Sequence, residues 1–166
     1  RVCFLDFGLL RGVDAARACG EADLEPGLLN DPTEMVSAAE YGRFLEVAVR
    51  LSEDPAFALH VGERAQTAAL HTVGYLLLNC RTMRDAIAQF VRFAELIYEE
   101  ARWELRELDD RAIFAYENLA LDEPFAARDA EFCLSMIVGV GRHFVGRQAS
   151  PREVRQVMES GARRIR

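Results

Sequence analysis

A chain of 166 residues that is 51% hydrophobic is long enough to close one core and too apolar for intrinsic disorder. Its formal net charge of −7 argues against a domain that grips nucleic acid by itself, since phosphate contacts need a basic face. No apolar run reaches the ~18 residues of a membrane helix; the nearest, residues 132–145, is interrupted by Gly139, Gly141, Arg142 and His143.

The opening residues RVCFLDFGLLRG lack the polar cleavage region of a secretory signal, and the chain starts without Met, as a fragment would. Cys3, Cys19, Cys80 and Cys133 are far apart and form no CxxC, which predicts reduced cysteines in a cytoplasmic protein. Arg142, Arg147, Arg152, Arg155, Arg163, Arg164 and Arg166 crowd the last quarter and read as a solvated helix end and a linker.

Residues 1–10 are apolar and fit either a strand or the tail of a helix. Asp14 is an N-cap for a short helix that stops near Gly20, and residues 24–29 add another helical turn before the loop Asn30-Asp31-Pro32. Ser37-Ala38-Ala39-Glu40 is a capping box. The helix after it carries Tyr41, Phe44, Leu45, Ala48 and Leu51 on one face. Asp54-Pro55 predicts a further helix start, with Asp as cap and Pro in the first helical position.

Residues 70–78 are almost wholly apolar and suit a buried strand or a buried helix; Gly74 and the leucines favour the helix. Thr82 caps the most regular helix of the chain, with Met83, Ile87, Phe90, Val91, Ala94 and Ile97 on one stripe. The period then becomes two. Ala101, Trp103 and Leu105 alternate with Arg102, Glu104 and Arg106, a half-buried strand. Asp109-Asp110-Arg111 turns it, and 113–119 returns with apolar residues on both faces, which predicts a more central strand. Asp122-Glu123-Pro124 opens a long helix through Val145, and residues 153–158 supply a last strand. The predicted class is α+β: an N-terminal helical part, then a small, mostly antiparallel sheet (strand, strand, helix, strand) packed on long helices, all in one domain over 1–166.

Catalytic signatures are missing. His60, His71 and His143 belong to no HExxH or HxH element, so no metal or cofactor is expected. Haem ligation by His71 inside its apolar helix has no supporting neighbour. Gly139-Val140-Gly141 superficially resembles a nucleotide loop, but it follows no strand and lacks the third glycine; close helix packing explains it better. Cys80, between Asn79 and Arg81, is the one cysteine in a polar setting, where a structural role outweighs a nucleophilic one.

Four segments carry a resemblance. DPAFALHVGE at 54–63 is similar to a "DPAxGLxxG" pattern. GYLLLNCRTMRDAI at 74–87 is similar to "GYLLxSSxTLxEAL", with Asn79-Cys80 in place of two serines. Residues 129–145 hold an AEF-type helix at Ala130, Glu131 and Phe132, and PREVR at 151–155 resembles the start of a closing strand. Their order and spacing resemble the N-terminal, arabinose-binding-like sensor domain of AraC-type transcription regulators, over nearly the whole chain. The departure is Gln156-Val157-Met158-Glu159, where that family continues with Phe and His-Pro.

The resemblance implies an effector-sensing, dimerising half of a bacterial regulator, not an enzyme. DNA would be contacted only through a C-terminal helix-turn-helix domain absent from these residues, and no membrane is involved. It does not name the effector, and the family's name is no evidence for arabinose. An effector pocket between sheet and helices is expected to use Tyr75, Phe90, Phe93, Trp103, Tyr116 and Met136, with Arg92 or His71 fixing a polar head. Plain core packing competes for each apolar member, because aromatic stripes at helical spacing usually fill cores. Glu123–Val145 carries more apolar residues than one stripe requires, and Gly139 and Gly141 would admit a partner, so this helix is the expected homodimer surface. The competing readings are a dimerisation module with a filled core and no effector and, behind it, a small-molecule enzyme.

Overall fold

Side-chain caps set three of the described helix starts. In the computed structural model, which describes residues 2–3, 12–30, 35–65, 70–120, 125–146, 150–158 and 161–165, Asp14 accepts from the Arg17 amide and starts α1, Ala15–Glu21. Ser37 and Glu40 close the expected capping box on α2, Ala38–Ser52. Thr82 accepts from the Asp85 amide and starts α5, Met83–Phe93. A 3₁₀ turn at Pro26–Asn30 stands where the short helical turn is predicted. The predicted readings at residues 4–10, Asp31-Pro32 and Asp122-Glu123-Pro124 lie outside the described residues.

The Asp54-Pro55 start differs from expectation. Helix α3 is Phe57–Arg64, two residues later, and its N-cap position, Ala56, makes no side-chain cap bond. Asp54 Oδ1 instead accepts from the Ala56 amide at 2.9 Å, and its Oδ2 lies 2.7 Å from His60 Nδ1. An Asp side chain that bonds its own backbone two residues on makes a local turn, which delays the helix. The ambiguous run at 70–78 resolves as helix α4, His71–Leu78. After Phe93 helix α5 tightens into a 3₁₀ turn, Ala94–Leu96, which keeps Ala94 and Ile97 buried.

The hairpin forms as predicted from β3, Ala101–Glu107, and β4, Ala112–Asn118, with Trp103 opposite Tyr116 and Leu105 opposite Phe114. Trp103, Phe114 and Tyr116 pack against the core. Two details of the predicted sheet change. Among the described residues β4 pairs with β3 alone, so it is not a central strand; the outer-face Ile113 is exposed. The last strand, β5 (Val154–Met158), pairs with β6 (Gly161–Ile165) and not with the hairpin. A partner two residues further along the chain costs far less loop entropy than one across a long helix. A third ladder joins β1, Val2–Cys3, to β2, Met35–Val36. The class is α+β, with three short antiparallel ladders around a helical core.

That core centres on α6, Phe125–Val145, which α2, α3, α5 and β4 all touch. Phe132, Cys133, Met136, Ile137 and Val140 of α6 are buried beside Tyr41, Phe44 and Leu45 of α2. Close approach to α3 needs glycine: a Cβ on Gly62 would stand 2.4 Å from the Phe132 carbonyl oxygen, and one on Gly139 would stand 3.1 Å from that of Glu63. A Cβ on Gly141 would meet Met83 Cε at 2.5 Å. The glycines that would admit a second subunit to α6 are therefore already occupied from within the chain. None of the described helices is long and apolar enough to cross a membrane.

Candidate functional site

A charged residue sits where the helical period calls for an apolar one. Asp129 lies four residues after Phe125 and three, four and seven before Phe132, Cys133 and Met136, so α6 turns its carboxylate into the core, where it is 0% exposed. A buried carboxylate must be hydrogen-bonded to persist. Tyr116 Oη donates to Oδ2, Asn118 Nδ2 donates to the same oxygen at 2.7 Å, and Cys133 Sγ donates to Oδ1 at 3.7 Å. The Tyr41 hydroxyl is a further donor. Asn118 also donates to the Tyr98 hydroxyl, extending the network to the end of the 3₁₀ turn. The cluster ties β4 to α2 and α6 through neutral donors only; no ion pair among the described residues includes Asp129.

Burial pushes the Asp129 carboxyl up to about 6, against the pull of hydrogen bonds from Tyr116, Asn118, Cys133 and Tyr41. Burial, with the neighbouring negative charge, also pushes the Tyr41, Tyr98, Tyr116 and Cys133 groups well above their ordinary ranges, so all four stay protonated.

Beside this cluster lies a cavity of about 20 Å³. Leu70, Phe90, Ala94, Ile97, Phe132 and Met136 line it together with Tyr41, Tyr98, Trp103, Asp129 and Cys133, and its surface is almost wholly apolar. Such a space holds about one water-sized molecule, so anything larger must displace side chains. Trp103 lies tilted against Tyr116 with centroids 4.2 Å apart and meets Phe90 edge-on at 4.9 Å. Its Nε1 is buried without a hydrogen-bond partner; Glu46 Oε2 is the other such atom among the described residues. A buried indole N–H usually finds an acceptor, so this orphan stands out.

A second, wholly apolar void of about 10 Å³ lies on the far side of Phe90, bounded by Leu77, Ile87, Phe114, Ile137 and Phe144 among others. Phe90 lines both.

Of the residues expected at the pocket, Phe90, Trp103 and Met136 line the cavity, and Tyr116 joins it through Trp103 and Asp129. Three others are placed elsewhere. Tyr75 is 65% exposed, because α4 turns Val73 and Leu77 inward and leaves the intervening position outside. Arg92 is exposed, with its guanidinium 5.2 Å over the Phe93 ring, and Phe93 packs on the core edge without lining the cavity. The side chain of His71 lies outside the described residues. The sequence reading missed Asp129, Asn118, Tyr41 and Tyr98. For Asp129 the signal was present as an acid on an apolar stripe; Tyr98, just before β3, and Asn118, the last residue of β4, have no pattern that marks them.

Among the described residues no group of His, Cys, Asp and Glu is arranged to hold a metal ion. Cys19, Cys80 and Cys133 are free thiols, and Cys19 and Cys133 are buried. No curated protein matches the chain. A family model described as the N-terminal arabinose-binding domain of AraC transcription regulators matches residues 12–162. Its four motif segments, its α+β fold and that match agree, and the chain belongs to this family of regulatory sensing domains, which is not a family of enzymes.

Proposed function

We propose that this domain binds a small effector at the cavity between α2, α5, the β3–β4 hairpin and α6, and that occupancy is what the regulator reads. The observation that carries the proposal is that Asp129, fully buried, and Trp103, whose Nε1 is buried without a partner, line one cavity. Perturbed titratable groups beside an apolar cavity concentrate at functional sites. Phe90, Trp103 and Met136 form the apolar bed, and an occupant that displaces side chains would find its polar contacts at Asp129 and Trp103 behind that surface. Because α6 supplies Asp129, Phe132 and Met136 to the wall and also bears on α2, α3, α5 and β4, an occupant favours one setting of α6 over another.

Trp103 is the single tryptophan of the chain, so its fluorescence reports the site directly. A titration series of amines, sugars, amino acids and fatty acids is expected to yield a compound that shifts Trp103 emission. The same compound should raise the melting temperature, with about 2.7 kcal/mol of added stability at one hundred times Kd. A screen in which no compound moves either signal removes the proposal.

The water-sized volume of the cavity favours a second reading, a subunit-pairing module without an effector. Its contact surface would be α4, where Tyr75, Leu76 and Leu78 are exposed, and not α6. On that reading sedimentation at micromolar concentration gives a dimer that Leu78→Glu dissociates. A monomer of 18.7 kDa at those concentrations rejects it for these residues.

A further inference from the structure

We infer that the effector of this site carries a protonated amine on a small apolar body, and that the site discriminates against carboxylate- and phosphate-headed molecules. The inference rests on the effector reading above and names the chemistry the walls accept.

The first argument is charge. Asp129 is fully buried and satisfied by hydroxyl, amide and thiol donors, none of them cationic. No Lys, Arg or His is among the residues that line the cavity. A ligand anion would bring a second negative charge into an apolar enclosure that already holds one, without a cation to offset either. An ammonium would bring the missing opposite charge.

The second argument is the wall itself. Tyr41, Tyr98 and Trp103 line the same cavity as Asp129, and aromatic rings beside an acid are the chemistry that recognises ammonium groups. The third is Trp103 Nε1, which needs an acceptor. A hydroxyl or ether oxygen on the same ligand would supply one without adding charge. The apolar body has a direction to extend. Phe90 lines both this cavity and the second void, whose lining is apolar throughout, so the body would extend past that ring.

The test is a matched series of hexylamine, hexanol and hexanoate, titrated against the intact domain at neutral pH with Trp103 fluorescence as the readout. Hexylamine is expected to bind at least about tenfold more tightly than hexanoate. Asp129→Asn should abolish the preference for hexylamine over hexanol while leaving hexanol affinity within about twofold. Should Asp129→Asn fail to fold, the wild-type series decides alone. Hexanoate binding as tightly as hexylamine overturns the inference and leaves the effector proposal standing. Silence from all three, beside a response to a compound of another class, does the same. Silence from these and from the whole screen removes the effector proposal as well.

Discussion

Asp129→Ala is expected to destabilise the domain by about 3 kcal/mol or more at pH 7, as breaking a buried, hydrogen-bonded charge cluster generally does. The truncated side chain would leave Tyr116 Oη, Asn118 Nδ2 and Cys133 Sγ without their acceptor in a region closed to water. Loss of the carboxylate also relieves the cost of burying a charge, so the net effect is smaller than the sum of the bonds. Asp129→Asn separates the two contributions by pH. The folded carboxyl titrates at about 6, above its unfolded value of 3.8, so the native state binds the proton more tightly. Below pH 4 both states are protonated and the side chain contributes its full stability. As pH rises through 6 that contribution falls, by roughly 3 kcal/mol for about two pKa units, and it stays constant above. Asn does not titrate, and the remaining acids titrate alike in both proteins. Denaturant melts at pH 4 and pH 7 should therefore show wild type gaining on Asp129→Asn at the lower pH. An unchanged difference between the two proteins would mean that Asp129 titrates as an ordinary exposed carboxylate.

Much of the frame was legible because local chemistry sets it. Ser37, Thr82 and Asp14 announce helices through bonds made within three residues, and the alternation of Trp103 and Leu105 with charged neighbours announces a strand. Where neighbours in space decide the outcome, sequence alone fell short. The apolar outer face of β4 suggested a second pairing partner that is not found among the described residues. Asp54 offered two local bonding patterns, and the turn won over the cap. At the site, the aromatic residues Phe90, Trp103 and Tyr116 were visible by periodicity, but the cavity belongs to five segments that meet only after folding. Tyr75 was read as inward because 70–78 is apolar nearly all round; the helix buries one stripe of it, and no periodicity distinguishes the stripe. Asp129 is the instructive case. An acid on the buried stripe of a 21-residue helix violates the pattern around it. Such violations are where function or a conserved polar network is expected, and here that residue organises the site.

Gly62→Ala is expected to cost about 3 kcal/mol, at or above the upper end of what overpacking a core usually costs. Gly62 closes the DPAFALHVG segment, and its side-chain position faces α6 directly. The added methyl would stand 2.4 Å from the Phe132 carbonyl oxygen, 2.9 Å from Ser135 Cβ and 3.1 Å from the Met136 amide nitrogen. Two of these three atoms are backbone within a helix, so no side-chain rotation relieves the clash, and α3 must move off α6. That movement strains a row of tertiary bonds along the same seam. Ser135 Oγ donates to the Leu59 carbonyl at 2.7 Å, Arg128 donates to the Pro55 carbonyl at 3.0 Å, and Arg142 meets Glu63 at 2.6 Å. It also displaces the stretch of α6 that carries Phe132, Cys133 and Met136 to the cavity wall, so Trp103 emission should shift in the folded variant. Gly20→Ala is the control. Gly20 lies within α1 with nothing inside 4 Å of the added carbon, and the helical preference of alanine should stabilise by up to about 1 kcal/mol. Denaturant midpoints of the two variants should therefore move in opposite directions. A Gly62→Ala protein as stable as wild type would mean that α3 and α6 do not meet backbone to backbone, and the seam that holds the cavity wall in place would have to be redrawn.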